Sequence, residues 1–185
     1  MALDKGALKA DIIDAFTTSR DQNLSKADAA RMLAFAILAY ASEAEAILAG
    51  PILIPAAPSP IPSSAIGTKV KLATASAGIG ALEAIILASY NSGDSFASVT
   101  PAFVTYAATF NTFTANGNTL TGICAMPAPP VFAPAIDIGT KGGSIEEIAD
   151  SMATAIHNSF LGTIAAGAVV AADGGLGTII PGPLS

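Results

Sequence analysis

Apolar residues recur along this chain with the spacing of amphipathic helices. Over residues 4–18, Leu8, Ile12 and Phe16 return about one helical turn apart, and the charged side chains lie mainly on the other faces. The same period predicts further helices over residues 25–48, 76–90, 100–114 and 144–160. The pattern therefore predicts a mainly α fold of about five amphipathic helices.

The last of these helices has the clearest predicted start. In the sequence Ser-Ile-Glu-Glu, the Ser144 hydroxyl can accept a hydrogen bond from the backbone of Glu147, and the Glu147 carboxylate can accept one from the backbone of Ser144. This reciprocal arrangement satisfies two amide donors that a helix otherwise leaves unpaired. Ser144 and Glu147 are therefore predicted to form a helix cap.

Short β-elements are expected beside the helices. Residues 68–73 alternate between polar and apolar side chains, which is typical of a strand with one buried face. Near the end of the sequence, residues 164–171 and 178–180 flank an Asp-Gly-Gly turn sequence at 173–175. We therefore expect one short strand in the first half and a C-terminal β-hairpin.

Two proline-rich segments, residues 50–67 and 122–143, interrupt the helical pattern. Proline lacks a backbone donor and favours extended backbone, so both segments are predicted to be extended arms. Their apolar side chains are poorly suited to water, and we expect them to dock on a neighbouring subunit. The residues predicted to form this assembly arm are Ile52, Leu53, Ile54, Ile61, Val131 and Phe132.

The order of elements suggests two parts, residues 1–74 and residues 75–185. The sequence ALKADIIDAF at 7–16 resembles ALEAIILASY at 81–90, and each precedes a polar linker, a second helix and a proline-rich segment. An internal duplication would explain this similarity. Coincidence between two alanine-rich helices, within one continuous domain, is the alternative.

The chain has an unusually small charged fraction. Charged residues make up 12% of it and hydrophobic residues 52%, with a mean hydropathy of +0.60. The charged fraction is about half that of an ordinary globular domain. We therefore expect much of the exterior to be covered by other copies or other proteins. An alanine-rich monomer is the alternative, because alanine raises hydropathy without forming large apolar patches.

The net charge of −6 and the pI of about 4.5 argue against nucleic acid as a partner. Nucleic-acid binding needs clustered Lys and Arg, and here these residues are scattered. The apolar runs are too short for a membrane-spanning helix, which needs about 20 residues. The first residues lack the apolar stretch of a secretory signal. We expect no nucleic acid, no membrane span and no signal-dependent secretion.

Few side chains can carry chemistry. The chain has one histidine, His157, and one cysteine, Cys124, so we predict no catalytic, metal or cofactor site and no enzyme. A Cys124–His157 pair, or a metal held by His157 from several copies on a symmetry axis, remain alternatives. The aromatic residues between Phe103 and Phe113 are predicted to be core, with a binding platform as the alternative.

The opening MALDKGALKADIIDAF and the run IEEIADSMATAIHNSFLGT, which leads into a glycine-rich tail, resemble small virion proteins of tailed bacteriophages. The resemblance implies a non-enzymatic structural subunit of the tail, baseplate or neck. It also implies copies of itself and other virion proteins as partners, and a place in the virion after assembly in the host cytoplasm. The alternatives are a monomeric adaptor or binding module, and a small ligand carrier or enzyme.

Overall fold

The computed structural model describes residues 3–47, 69–93, 96–115, 118–132, 144–170 and 176–185. The helices in this part of the chain are α1 (Lys5–Asp21), α2 (Lys26–Ala41), α3 (Ile79–Ser92), α4 (Val99–Ala108) and α5 (Ile145–Leu161). The strands are β1 (Glu45–Ile47), β2 (Lys69–Leu72), β3 (Thr112–Ala115), β4 (Asn118–Thr121), β5 (Ile123–Ala125), β6 (Ile164–Val170) and β7 (Leu176–Pro183). The predicted mainly α fold with short antiparallel strands is confirmed.

Two predicted helices end earlier in the structure, and strands take the remaining residues. The second helix, predicted to reach residue 48, ends at Ala41 and is followed by β1. The fourth, predicted to reach residue 114, ends at Ala108 and is followed by β3. Each stretch is too short for its apolar spacing to separate a helix from a strand, and antiparallel pairing with β2 decides both cases.

Local hydrogen bonds explain where the helices begin. Asp4 accepts hydrogen bonds from the backbones of Gly6 and Ala7 at the start of α1. At α5, the backbone of Glu147 donates to the Ser144 hydroxyl (3.2 Å) and the backbone of Ser144 donates to the Glu147 carboxylate (3.0 Å). The predicted cap therefore has its full reciprocal geometry.

The third helix begins later than the predicted residue 76, because Gly78 turns the chain. Gly78 has a φ of +77°, a left-handed conformation that favours glycine. A Cβ atom at this position would lie 2.8 Å from Cγ2 of Thr109. The start of α3 is thereby held close to the end of α4, where the Thr109 hydroxyl donates to the carbonyl of Ala77 (2.7 Å).

The first four strands form an antiparallel sheet in the order β1-β2-β3-β4. Strands β1 and β2 come from the predicted first part of the chain, and β3 and β4 come from the second. One hydrophobic core also contains residues of both parts, such as Ile12 and Phe160. The two parts therefore share a sheet and a core. The first part contains α1 and α2 followed by the antiparallel pair β1–β2, and the second begins with α3 and α4 followed by the antiparallel pair β3–β4.

The last three strands form a second antiparallel sheet in the order β5-β6-β7. Strands β6 and β7 are the predicted C-terminal hairpin, and β7 is longer than the predicted residues 178–180. Only Gly122 separates β4 from β5. After β7, the backbone of Ser185 exchanges two hydrogen bonds of 2.9 and 3.0 Å with the backbone of Glu45 in β1. The two sheets are therefore linked twice, through Gly122 and through this pair of hydrogen bonds.

The helices pack on one another and supply most of the core. Helix α1 packs against α2 and α5, α2 packs against α3, and α3 packs against α4. The aromatic residues of α4, of β3 and of the connection between them are fully buried, so the predicted core role of this stripe is confirmed; they are Phe103, Tyr106, Phe110 and Phe113. The buried Tyr106 hydroxyl donates to the carbonyl of Ala75 (2.6 Å). Within the described ranges, no helix is both long and apolar enough to span a lipid bilayer.

Candidate functional site

Strands β5 and β6 present an apolar surface on their outer side. The side chains of Cys124 and Ala165 point into the core, and the alternation of a strand turns their neighbours outward. Ile123 is 66% exposed, Ile164 is 42% exposed and Ala125 is also exposed. We call the surface formed by Ile123, Ala125 and Ile164 the apolar sheet face.

The four-stranded sheet has the opposite outer surface. Glu45, Lys71 and Thr114 are paired across three adjacent strands and therefore lie on the same side. Lys71 and Thr114 are exposed, and Glu45 is half-buried. We call the surface formed by Glu45, Lys71 and Thr114 the polar sheet face. The Lys71 ammonium also lies 3.1 Å from the Glu43 carboxylate.

The distribution of charge along the chain accounts for this difference. No Asp, Glu, Lys or Arg occurs between residues 95 and 136 or between residues 151 and 172. Both strands of the apolar sheet face belong to these stretches. Among the described residues, six large hydrophobic side chains are exposed, and five of them lie in the two stretches: Val104, Ile123, Val131, Leu161 and Ile164. The exposed apolar surface is therefore concentrated where the chain has no charges.

The single histidine is engaged in a hydrogen bond within the chain. His157 Nδ1 lies 2.6 Å from the hydroxyl of Tyr40, which joins α5 to α2. Burial raises the pKa of Tyr40, so its hydroxyl stays protonated and can donate to the neutral ring. Partial burial, followed by the charge of Lys5, lowers the pKa of His157. This geometry fits the predicted histidine at the edge of the core.

The single cysteine lies on the inner side of β5. Cys124 is buried, and this burial raises the pKa of its thiol to about 12. A reactive cysteine needs a lowered pKa and access to solvent, because the thiolate is the nucleophile. In the described part of the chain, His157 bonds Tyr40 through Nδ1 and makes no hydrogen bond to Cys124. The alternative of a Cys124–His157 pair therefore gains no support. No metal-binding cluster of His, Cys, Asp or Glu occurs in the described part of the chain.

A groove of about 590 Å³ lies between α1, α2, α3 and α5. Its apolar walls include Phe16, Tyr90 and Ile148. Two cationic residues also line it, and both are engaged: the Arg20 guanidinium pairs with Asp21 (2.7 Å), and Lys26 donates to the carbonyl of Tyr90 (2.7 Å). Both cations thus have a partner within the chain, and the lining of the groove by itself identifies no ligand.

The predicted assembly arm divides into three groups. Ile52, Leu53, Ile54 and Ile61 lie outside the described residues, and their role stays a prediction. Val131 is 79% exposed, as an assembly contact requires before it binds. Phe132 needs a correction, because its ring is buried against Phe96 (5.8 Å between centroids) and Phe103 (5.9 Å). Phe132 belongs to the core of its own chain.

The second predicted arm also needs a correction at its start. Residues 122–143 are predicted to be an extended arm that docks on a neighbouring subunit; Ile123–Ala125 are extended, but they form β5 and pair with β6 of the same chain. A strand of three residues is too short to show an alternating pattern, so hydrophobic periodicity alone does not reveal the apolar sheet face. The sequence signal that could have revealed it is the absence of charged residues between 95 and 136. No family model, curated protein or solved structure matches this chain.

Proposed function

We propose that this protein is a non-enzymatic structural subunit of a multi-copy assembly. The apolar sheet face is the single observation that carries the proposal. Antiparallel sheets that face water present polar side chains on that side, as the polar sheet face does. An outer face with two exposed isoleucines and an alanine favours burial against another molecule.

The favoured assembly is a bacteriophage virion, in the tail, baseplate or neck. The support is the resemblance of residues 1–16 and of residues 145–163, with the glycine-rich tail, to small virion proteins of tailed phages. Partners would then be copies of itself and other virion proteins, in particles assembled in the host cytoplasm. The low charged fraction of 12% agrees with a chain whose surface is largely covered by neighbours.

The direct test is the mass of the purified chain in solution. Light scattering coupled to size-exclusion chromatography should give a mass several times the chain's 18.3 kDa, and the mass should fall on dilution. Electron micrographs of the same material should show particles of uniform shape, such as rings or tubes. A monomer at every concentration contradicts the proposal and favours the adaptor alternative, since an adaptor stays monomeric until it meets its partner.

The contribution of the first predicted arm needs a separate variant. Ile47 and Lys69 are paired across β1 and β2, so the two described residues that flank the predicted arm lie at adjacent positions of the sheet. Deleting residues 51–62 and bridging with Gly-Ser should keep the helical content, because a shorter connection can still close the β1–β2 pair. We expect the oligomer to be lost; normal assembly of this variant would exclude the arm from the contact.

A further inference from the structure

We propose that the apolar sheet face binds the same face of a second copy of this chain across a twofold axis. This inference rests on the proposed function, because it names the partner and the geometry of one contact within the assembly. It commits to a homotypic contact, in which each copy contributes the same residues. Charge, the register of β5 and β6, and the residues of the apolar sheet face all favour this contact.

Charge favours a second copy over a partner that is recognised by charge. In a twofold contact the same side chains meet near the axis, so any charge there lies close to its own copy and repels it. The chain carries a net charge of −6, so two copies repel each other wherever their acidic side chains come close. Strands β5 and β6 lie in stretches without Asp, Glu, Lys or Arg. Two copies can approach at this face without placing like charges together.

The register of the two strands makes the apolar sheet face complementary to itself. Ala125 and Ile123 lie on the same side of β5, and Ala125 pairs with Ile164 across the two strands. The alanine is therefore a direct neighbour of both isoleucines. Rotation about a twofold axis in the plane of the sheet exchanges the positions of Ala125 and Ile164 when the axis is parallel to the strands, and the positions of Ala125 and Ile123 when it is perpendicular to them. In both arrangements an isoleucine of one copy lies over the alanine of the other, which is the close packing that stable interfaces need.

The apolar sheet face forms the centre of the contact and not the whole of it. A stable interface buries about 800 Å² on each partner, more than three side chains supply. Residues at the centre of an interface contribute most of its affinity. Substitution of either isoleucine should therefore have a large effect on association, although each is one residue among many in the contact.

The first test introduces a lysine at each face. Ile123→Lys and Ile164→Lys each place two cations near the axis and remove apolar burial on both copies. We expect each variant to bind its own copy about a hundredfold more weakly or worse by light scattering or analytical ultracentrifugation. Thr114→Lys adds the same charge to the polar sheet face and should assemble as the original chain does. Circular dichroism and thermal unfolding of all three establish that each is folded.

The second test measures the symmetry and does not depend on lysine variants. In a Cys124→Ser background, Ala125→Cys should give a covalent dimer with a short bis-maleimide, because it keeps both isoleucines and a twofold axis through this face brings the same position of two copies together. Thr114→Cys in that background should give none. Assembly that persists in both lysine variants, or the absence of a dimer cross-linked through residue 125, overturns the twofold contact and leaves the proposed function standing. A monomeric original chain overturns both.

Discussion

The two sheets of this protein have similar inner faces and opposite outer faces. Inside, Val70, Leu72 and Phe113 of the four-stranded sheet and Cys124 and Ala165 of the three-stranded sheet are all buried. Outside, one sheet presents the polar sheet face and the other presents the apolar sheet face. Folding of a single chain requires only the inner pattern. The difference between the outer faces therefore indicates a requirement other than folding, which we assign to contact with another copy.

The largest expected effect comes from the inner face of the four-stranded sheet. Phe113→Ala removes a fully buried ring from β3 and should lower the free energy of unfolding by about 3–5 kcal/mol. Chemical denaturation under dilute conditions measures this loss. The molecules that remain folded should associate as before, because Phe113 does not contribute to the outer surface. An altered association constant for the folded fraction would show that the inner face also affects contact between copies.

The inner face of the three-stranded sheet can be compared with an outer position by thiol reactivity. The pKa of Cys124 is about 12, against an ordinary value of 9.0, so at pH 8 its thiolate is about a thousandfold scarcer. Cys124 should react with iodoacetamide up to about a thousandfold more slowly than the exposed cysteine of Thr114→Cys, made with Cys124→Ser. Mass spectrometry over time gives both rates. Equal rates of alkylation at Cys124 and at the cysteine in position 114 would mean that β5 does not turn Cys124 inward.

The same pKa shift gives a direction for stability. A thiol whose pKa is raised by folding stays protonated in the native state while the unfolded chain ionises above pH 9. Stability should therefore decline as the pH rises from about 9 towards 12, and Cys124→Ser should remove that part of the decline.

Much of the fold could be predicted from the sequence because its signals are local. The capping box at Ser144 and Glu147 depends on a few neighbouring residues, and the pair β6–β7 joins segments that lie close together along the chain. The strands β1 and β3 could not be separated from the helices before them, since pairing with a distant strand decides their conformation. The apolar sheet face depends on the pairing of residues about 40 positions apart, at Ile123 and Ala166. No local period reports such a pairing.

A smaller effect is expected at the cap of α5, the helix that leads into β6. Ser144→Ala removes the hydroxyl that accepts from the backbone of Glu147, and should lower the free energy of unfolding by about 1 kcal/mol. The midpoint of thermal unfolding measures this change, with Ser144→Thr as the variant that keeps an acceptor. Assembly should be unchanged, whereas Ile164→Lys should change assembly with little effect on folding. An unchanged midpoint in Ser144→Ala would mean that α5 does not depend on this cap.

The smallest effect is expected on the polar sheet face. Lys71 and Glu43 form an ion pair of 3.1 Å, but their side chains are 49% and 40% exposed, so water and salt screen the attraction. Lys71→Ala should therefore cost between about 0.2 and 1 kcal/mol in stability, and less at high salt. Association should not change, because a solvated face contributes nothing to the contact between copies. Loss of assembly in Lys71→Ala, with the fold intact, would transfer the interface from the apolar sheet face to the polar one.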